Sequence, residues 1–216
     1  MIDWARVDTV LLDMDGTLLD LHFDNHFWLE ALPRRLAQVS GRSLEDARTD
    51  LFARMRAVEG TIDWYCLDYW RGILGVDLAS LKAEIAHLIR FRPEAVEFLS
   101  ALAGAGKRRV LVTNAHRDAL TLKLERTALH EHVEAVISSH DFGYSKEHPA
   151  FWKSLRAVEP FEPARTLLLD DSPGCLRAGR NAGIHQTVGI ARPDTTGPER
   201  APHEFPTLTD FASVMP

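Results

Sequence analysis

Four short stretches of the chain, residues 7–12, 109–113, 133–138 and 166–169, are rich in Val, Leu, Ile and Thr and carry few polar positions. A fifth, at 186–190, shows the same pattern more weakly. Runs of this length without strict alternation predict strands buried on both faces, as in a parallel sheet. Between them the apolar spacing changes to that of helices. In 94–102 the apolar residues Ala95, Phe98, Leu99 and Leu102 recur at helical intervals, and Gly104 and Gly106 then end the pattern. Residues 119–129, 150–158 and 173–182 read as further helices, the last stopped by Gly183. Strand alternating with helix predicts an α/β fold, a Rossmann-like parallel sheet covered on both sides.

Residues 22–92 break the alternation. No strand pattern occurs there, only helical segments punctuated by Gly41, Gly60 and Gly75, and Ser43-Leu44-Glu45-Asp46 has the form of a capping box. Aromatic residues crowd the region, among them Phe23, Phe27, Trp28, Phe52, Trp64, Tyr65 and Trp70. Most aromatics of such a cluster serve a core, while one or two could face a ligand. The expected organisation is a core of residues 1–20 and 93–216 with an all-helical insert, 21–92. Past Arg192 the sequence predicts an extended surface segment to Pro206 and a short helix from Thr207.

Composition narrows the class only a little. A net charge of −6 argues against a nucleic-acid polymer as partner, since such surfaces need clustered positive charge. No signal segment and no membrane-spanning run is visible, so a cytoplasmic protein is expected. Cys66 and Cys175 lack metal-type spacing and predict two buried free thiols. The oligomeric state is not encoded in any pattern here.

The candidate chemistry sits at the ends of the strands. Asp13 and Asp15 stand two apart after the first run, so an extended backbone turns them the same way, at the edge where open α/β sheets bind ligands. Two adjacent carboxylates ask for a cation or a shared proton. Thr113-Asn114 end the second run, Lys146 follows the third, and Asp170-Asp171-Ser172 follow the fourth. Each has an ordinary alternative: D-G is a common turn, Thr and Asn cap helices, a lone Lys is usually solvated, and Asp-Asp-Ser-Pro opens a helix. At one edge of one sheet they would instead form a hard-cation site beside an anion site. His22 and His26, four apart, lack the intervening Glu of a helical metal motif and are expected to be structural.

Asp13-Met14-Asp15-Gly16-Thr17, Val112-Thr113-Asn114, Lys146 with Pro149, and Leu169-Asp170-Asp171-Ser172 together resemble the four ordered motifs of the haloacid dehalogenase superfamily. The resemblance implies a Rossmann-like core with an inserted helical cap of the first class (C1-type). More narrowly, residues 11–21, Asp24-Asn25, 64–70, Thr113-Asn114-Ala115-His116 and Phe142-Gly143-Tyr144 resemble the bacterial GMP/IMP nucleotidase subfamily. It further implies Asp13 as nucleophile, Asp15 as acid/base, and Mg²⁺ held by Asp13, the Asp15 carbonyl, Asp171 and, directly or through water, Asp170. Thr113, Asn114 and Lys146 would bind the phosphoryl group of a small phosphomonoester. Asp24, Asn25 and His116 become candidates for contact with the leaving group. A sugar-phosphate or phosphoglycolate phosphatase and a phosphomutase share these motifs. A dehalogenase does not need Asp15, and a non-catalytic phosphoryl-binding module would have no use for both Asp13 and Asp15.

Overall fold

A computed structural model of the chain describes residues 2–216. Six parallel strands form one sheet: β1 (Thr9–Leu12), β2 (Arg108–Thr113), β3 (Ala135–Ser138), β4 (Thr166–Leu169), β5 (Gln186–Ile190) and β6 (Thr207–Leu208). Their spatial order is β3-β2-β1-β4-β5-β6, so β1 is flanked by β2 and β4, with Leu12 in register with Leu111 and Leu169. Chain direction away from β1 reverses there, making the carboxyl end of β1 the switch point where such sheets bind ligands.

The strands are mainly apolar in their buried parts because successive residues serve opposite cores. Val10, Leu12, Leu167 and Leu169 pack with Phe98, Leu99 and Leu102 of α7 (Ala95–Gly104) and Leu120 of α8 (Arg117–Thr127). Leu11, Val110, Val112 and Leu168 pack on the other face with Phe151, Trp152 and Leu155 of α9 (Pro149–Val158) and Leu176 of α10 (Pro173–Asn181). At Gly179 an added Cβ would lie 2.5 Å from Leu168 Cδ2, so a bare glycine lets α10 lie directly on β4.

Between β1 and β2 the chain is helical: α1 (His22–His26), a π-helical turn (Phe27–Ala31), α2 (Leu32–Ser40), α3 (Leu44–Val58), α4 (Ile62–Tyr65), α5 (Leu67–Leu74) and α6 (Leu78–Glu84). Phe27, Leu32, Leu51, Met55, Leu67, Trp70, Leu78 and Leu81 form a separate core that meets α8 through Ala119. Two connections join it to the sheet side by side. The Arg92 N–H donates to the Leu18 carbonyl at 2.9 Å, the Asp20 N–H to the Arg90 carbonyl at 3.0 Å, and Arg90 pairs with Asp20 at 2.9 Å.

Three local expectations need correction. Residues 207–208 extend the sheet as β6 beside Gly189 and Ile190, because Leu208 and Phe211 belong in the core and an edge position satisfies both. A 3₁₀ turn, Ala212–Val214, follows instead of a helix beginning at Thr207. The segment after Arg192 runs without helix or strand mainly over the surface, as expected, and is tied down where the Leu21 N–H donates to the Pro193 carbonyl, the Thr195 N–H to Asp20 Oδ1, and Phe205 is buried. At Ser43 only half of the capping box forms. Its hydroxyl oxygen accepts from the Asp46 N–H, but the Asp46 carboxylate, a methylene shorter than Glu, accepts the Ser43 hydroxyl rather than the backbone N–H. Both cysteines are free, yet Cys66 is only half-buried, at the start of α5.

Candidate active site

Every strand-end residue singled out by the sequence lies on one cavity of about 830 Å³ between the sheet edge and the helical insert: Asp13, Asp15, Thr113, Asn114, Lys146, Asp170 and Asp171. Four loops deliver them, after β1, β2, β3 and β4. Gly16, with φ +84°, turns the chain sharply after Asp15, and a Cβ there would lie 2.6 Å from Asp171 Oδ2. A side chain at position 16 would displace the Asp171 carboxylate.

Lys146 is buried under this cluster, its Nζ 2.5 Å from Asp13 Oδ1, 2.8 Å from Asp170 Oδ2 and 3.0 Å from the Val112 carbonyl. Its backbone is held from both sides. The Lys146 N–H donates to Asn114 Oδ1 at 2.9 Å, and Trp152 Nε1 donates to the Lys146 carbonyl at 2.7 Å. Thr113 Oγ1 accepts from the Ala115 N–H at 3.0 Å and shapes the same turn.

Asp13, Asp170 and Asp171 are buried and each brings a carboxylate oxygen within 4.8 Å of the others. Asp13 Oδ2 has no hydrogen-bond partner. Burial, against the pull of Lys146 and with the charge of Asp170 added, raises Asp13 to about 7. Burial likewise lifts Asp171 to about 7 despite Arg200, and Asp170 to about 6 despite Lys146. Three enclosed carboxylates thus carry more negative charge than one lysine and one arginine relieve. An oxygen-only donor set with an orphaned oxygen and excess negative charge fits a hard divalent cation such as Mg²⁺.

Asp15 is held differently. Its Oδ1 lies 2.7 Å from Lys123 Nζ, which also reaches Asp24 Oδ2 at 2.6 Å, while Lys82 reaches Asp24 Oδ1 at 2.7 Å. The ammonium of Lys82 sits 4.2 Å from the Phe27 ring centroid. Burial raises Asp15, with Lys123 opposing. For Asp24 burial acts upward too, but Lys123 and Lys82 together hold its carboxyl far below the ordinary range. The Asp15 carboxylate is therefore outside the Asp13–Asp170–Asp171 cluster and faces a chain of ion pairs running into the insert. A contribution of Asp15 to a metal is left to its backbone carbonyl.

The candidates for leaving-group contact fall in three situations. Asp24 lines the cavity, but both its oxygens are engaged by lysines. Asn25 lines it too, with Nδ2 donating to Asp194 Oδ2 at 2.8 Å. His116 faces the cavity and packs on His140. The His22–His26 pair holds no common ligand geometry: His22 lies 3.6 Å from Asp194 and His26 3.8 Å from Glu30. Of the aromatics, Phe23, Phe27 and Trp70 are core, whereas Trp28, Phe52, Trp64 and Tyr65 line the cavity.

Several site residues escaped the sequence reading. Lys123 and Lys82 had a legible signal, since each occupies the apolar stripe of its helix, four residues after Ala119 and Leu78 respectively. Arg200, which donates to Asp171 Oδ2 at 2.7 Å and to its carbonyl, lies in a segment with no periodicity to betray it. Glu147 accepts from Tyr65 Oη at 2.6 Å and from Asn114 Nδ2 at 3.1 Å, tying insert to core across the cavity. A separate cavity of about 360 Å³, near Arg92 and Asp210, contains none of the strand-end residues.

A parallel sheet with Asp-x-Asp at its switch point, a buried lysine and a second acidic pair is the arrangement of the haloacid dehalogenase-like hydrolases, and the chain belongs to that family, whose model matches residues 7–183. It is 39% identical over 215 residues to the GMP/IMP nucleotidase YrfG of Escherichia coli K12, covering 100% of this chain and 97% of that one. It is 24% identical to the pyrophosphatase PpaX of Anoxybacillus flavithermus, over 86% of this chain and 84% of that protein. Among solved structures, a phosphatase of the family from Thermococcus onnurineus superposes with a TM-score of 0.81 at 20% identity, over 96% of both chains. No helix among the described residues is long and apolar enough to cross a membrane.

Proposed function

We propose that the chain is a Mg²⁺-dependent phosphomonoester hydrolase acting on purine nucleoside 5′-monophosphates, with IMP and GMP its preferred substrates. The observation that carries this reading is the buried Asp13–Asp170–Asp171 cluster, braced by Lys146, at the floor of a cavity walled by Trp28, Phe52, Trp64 and Tyr65. The full-length similarity to a GMP/IMP nucleotidase supports the choice of substrate.

Asp13, Asp170 and Asp171 with the Asp15 carbonyl would hold Mg²⁺, which when bound neutralises phosphate charge and draws the phosphoryl oxygens toward Asp13. Lys146, carried by the Asn114 and Trp152 hydrogen bonds, supplies the second positive charge. A carboxylate oxygen of Asp13 attacks phosphorus as the ester P–O bond breaks, giving an aspartyl-phosphate and the nucleoside. Asp15, raised by burial, delivers the proton to the departing 5′ oxygen. It then takes a proton from the water that attacks the aspartyl-phosphate, releasing phosphate and restoring Asp13. Lys123 and Asp24 position Asp15 for both transfers. The insert serves as a cap that excludes bulk water and supplies the surface on which the base stacks.

The test is phosphate release from a panel of IMP, GMP, glucose 6-phosphate and phosphoglycolate with Mg²⁺. Stacking of a base on an aromatic contributes about 1–3 kcal/mol, or roughly a 5- to 150-fold advantage in kcat/KM for the purine nucleotides. Chelation should abolish release from all four. A sugar phosphate preferred over both nucleotides would overturn the substrate assignment, and undiminished release after chelation would overturn the chemistry.

A further inference from the structure

A second cluster of potential metal ligands lies on the seam between the helical insert and the core. Cys66 Sγ and one ring nitrogen each of His116 and His140 lie within 4.8 Å of one another. Cys66 belongs to the insert, between α4 and α5. His116 caps α8 in the core, and His140 lies in a 3₁₀ turn, Ser139–Asp141, directly after β3. All three are half-buried. The seam is already drawn together beside them, where Ser145 Oγ donates to the Gly60 carbonyl at 2.9 Å and Tyr65 to Glu147 at 2.6 Å.

We propose that Cys66, His116 and His140 form a site for a thiophilic divalent cation of the Zn²⁺ type, distinct from the carboxylate centre, that staples the insert to the core. The donor chemistry separates the two sites: a thiol and two imidazoles suit Zn²⁺, whereas three carboxylates suit Mg²⁺. The spacing agrees. With Zn–N bonds of about 2.0 Å and tetrahedral angles, two ligating imidazoles come to rest with centroids roughly 5 Å apart, and those of His116 and His140 are 5.0 Å apart. His140 Nε2 is buried with no hydrogen-bond partner. His116 has long contacts, the Asp118 N–H to Nδ1 at 3.4 Å, Asp118 Oδ2 at 3.8 Å from Nδ1 and Asp68 Oδ2 at 3.6 Å from Nε2, while Cys66 Sγ accepts from the Tyr69 N–H at 3.5 Å. Small side-chain movements bring three donors onto one ion, leaving a fourth position for water.

The test is a Co²⁺ titration of the full chain held in excess Mg²⁺, so that the carboxylate centre is already occupied. One equivalent of Co²⁺ should produce a near-ultraviolet thiolate-to-cobalt charge-transfer band, and Zn²⁺ should remove it by displacement. Cys66→Ser should eliminate the band, His140→Ala should weaken Co²⁺ affinity by more than about 10-fold, beyond the lower bound for losing an outer-sphere partner, and Cys175→Ser should leave both unchanged. Circular dichroism of the metal-free variants checks that each is folded. Absence of the band in the wild-type protein, its survival in folded Cys66→Ser, or its loss in folded Cys175→Ser would each overturn the proposal.

Discussion

Asp13→Asn is expected to lower kcat by roughly four orders of magnitude or more, the scale on which removal of a catalytic nucleophile is felt, while the protein stays folded. The amide keeps the shape of the carboxylate but cannot attack phosphorus. Folding should tolerate it because position 13 lies among three buried carboxylates, where burial first and then the charge of Asp170 lift Asp13 to about 7. Removing one charge from that group offsets the weaker bond to Lys146. The measurement is steady-state phosphate release together with thermal unfolding. A folded Asp13→Asn protein that turns over near the wild-type rate would remove Asp13 from the mechanism.

Lys146→Met is expected to damage both stability and catalysis. The ammonium is buried and pairs with Asp13 and Asp170, so its loss leaves those carboxylates uncompensated. Breaking a buried ion pair from one side costs about 3–5 kcal/mol, which for a domain of this size lowers Tm by about 10 °C. The deficit should depend on pH in a definite direction. In the metal-free folded state Asp13 and Asp171 titrate at about 7 and Asp170 at about 6, against 3.8 for an ordinary Asp. Between those limits the folded chain holds more protons than the unfolded one, so these groups lower stability as pH rises through the window. Without Lys146 the carboxylates bind protons still more tightly, making the Tm gap widest above pH 7 and narrower near pH 5. Mg²⁺ should recover part of it at pH 8, and kcat should remain at least roughly 10²- to 10³-fold depressed. A Tm difference that ignores both pH and Mg²⁺ would mean that Lys146 is not the counter-charge described here.

What could be read from the chain follows from how local each determinant is. The strands 9–12 and 166–169 were legible because burial on two faces leaves only their first position, a Thr, polar. Strand β6 was not, since its two residues owe their state to the edge of β5 rather than to any pattern of their own. The acidic and phosphate-binding candidates were legible because a parallel sheet delivers strand-end residues to one edge, a rule of topology that needs only the strands. Asp24 shows the limit. Its place near the first motif suggested a ligand-reading role, but its two lysine partners lie 58 and 99 residues further along the chain, and no local pattern connects them. Cys66 and His140 illustrate the same point, since only the docking of the insert on the core makes them neighbours.

In the proposed mechanism the phosphoryl group passes from the nucleotide to Asp13 before it reaches water. Rapid acid quench of the wild-type enzyme during turnover of IMP with Mg²⁺, followed by peptide mass spectrometry, tests it most directly. The mechanism predicts a phosphoryl group on Asp13, formed at a rate no slower than turnover and absent without Mg²⁺. Phosphate release at full rate with Asp13 never phosphorylated, or with the label on another residue, would contradict it.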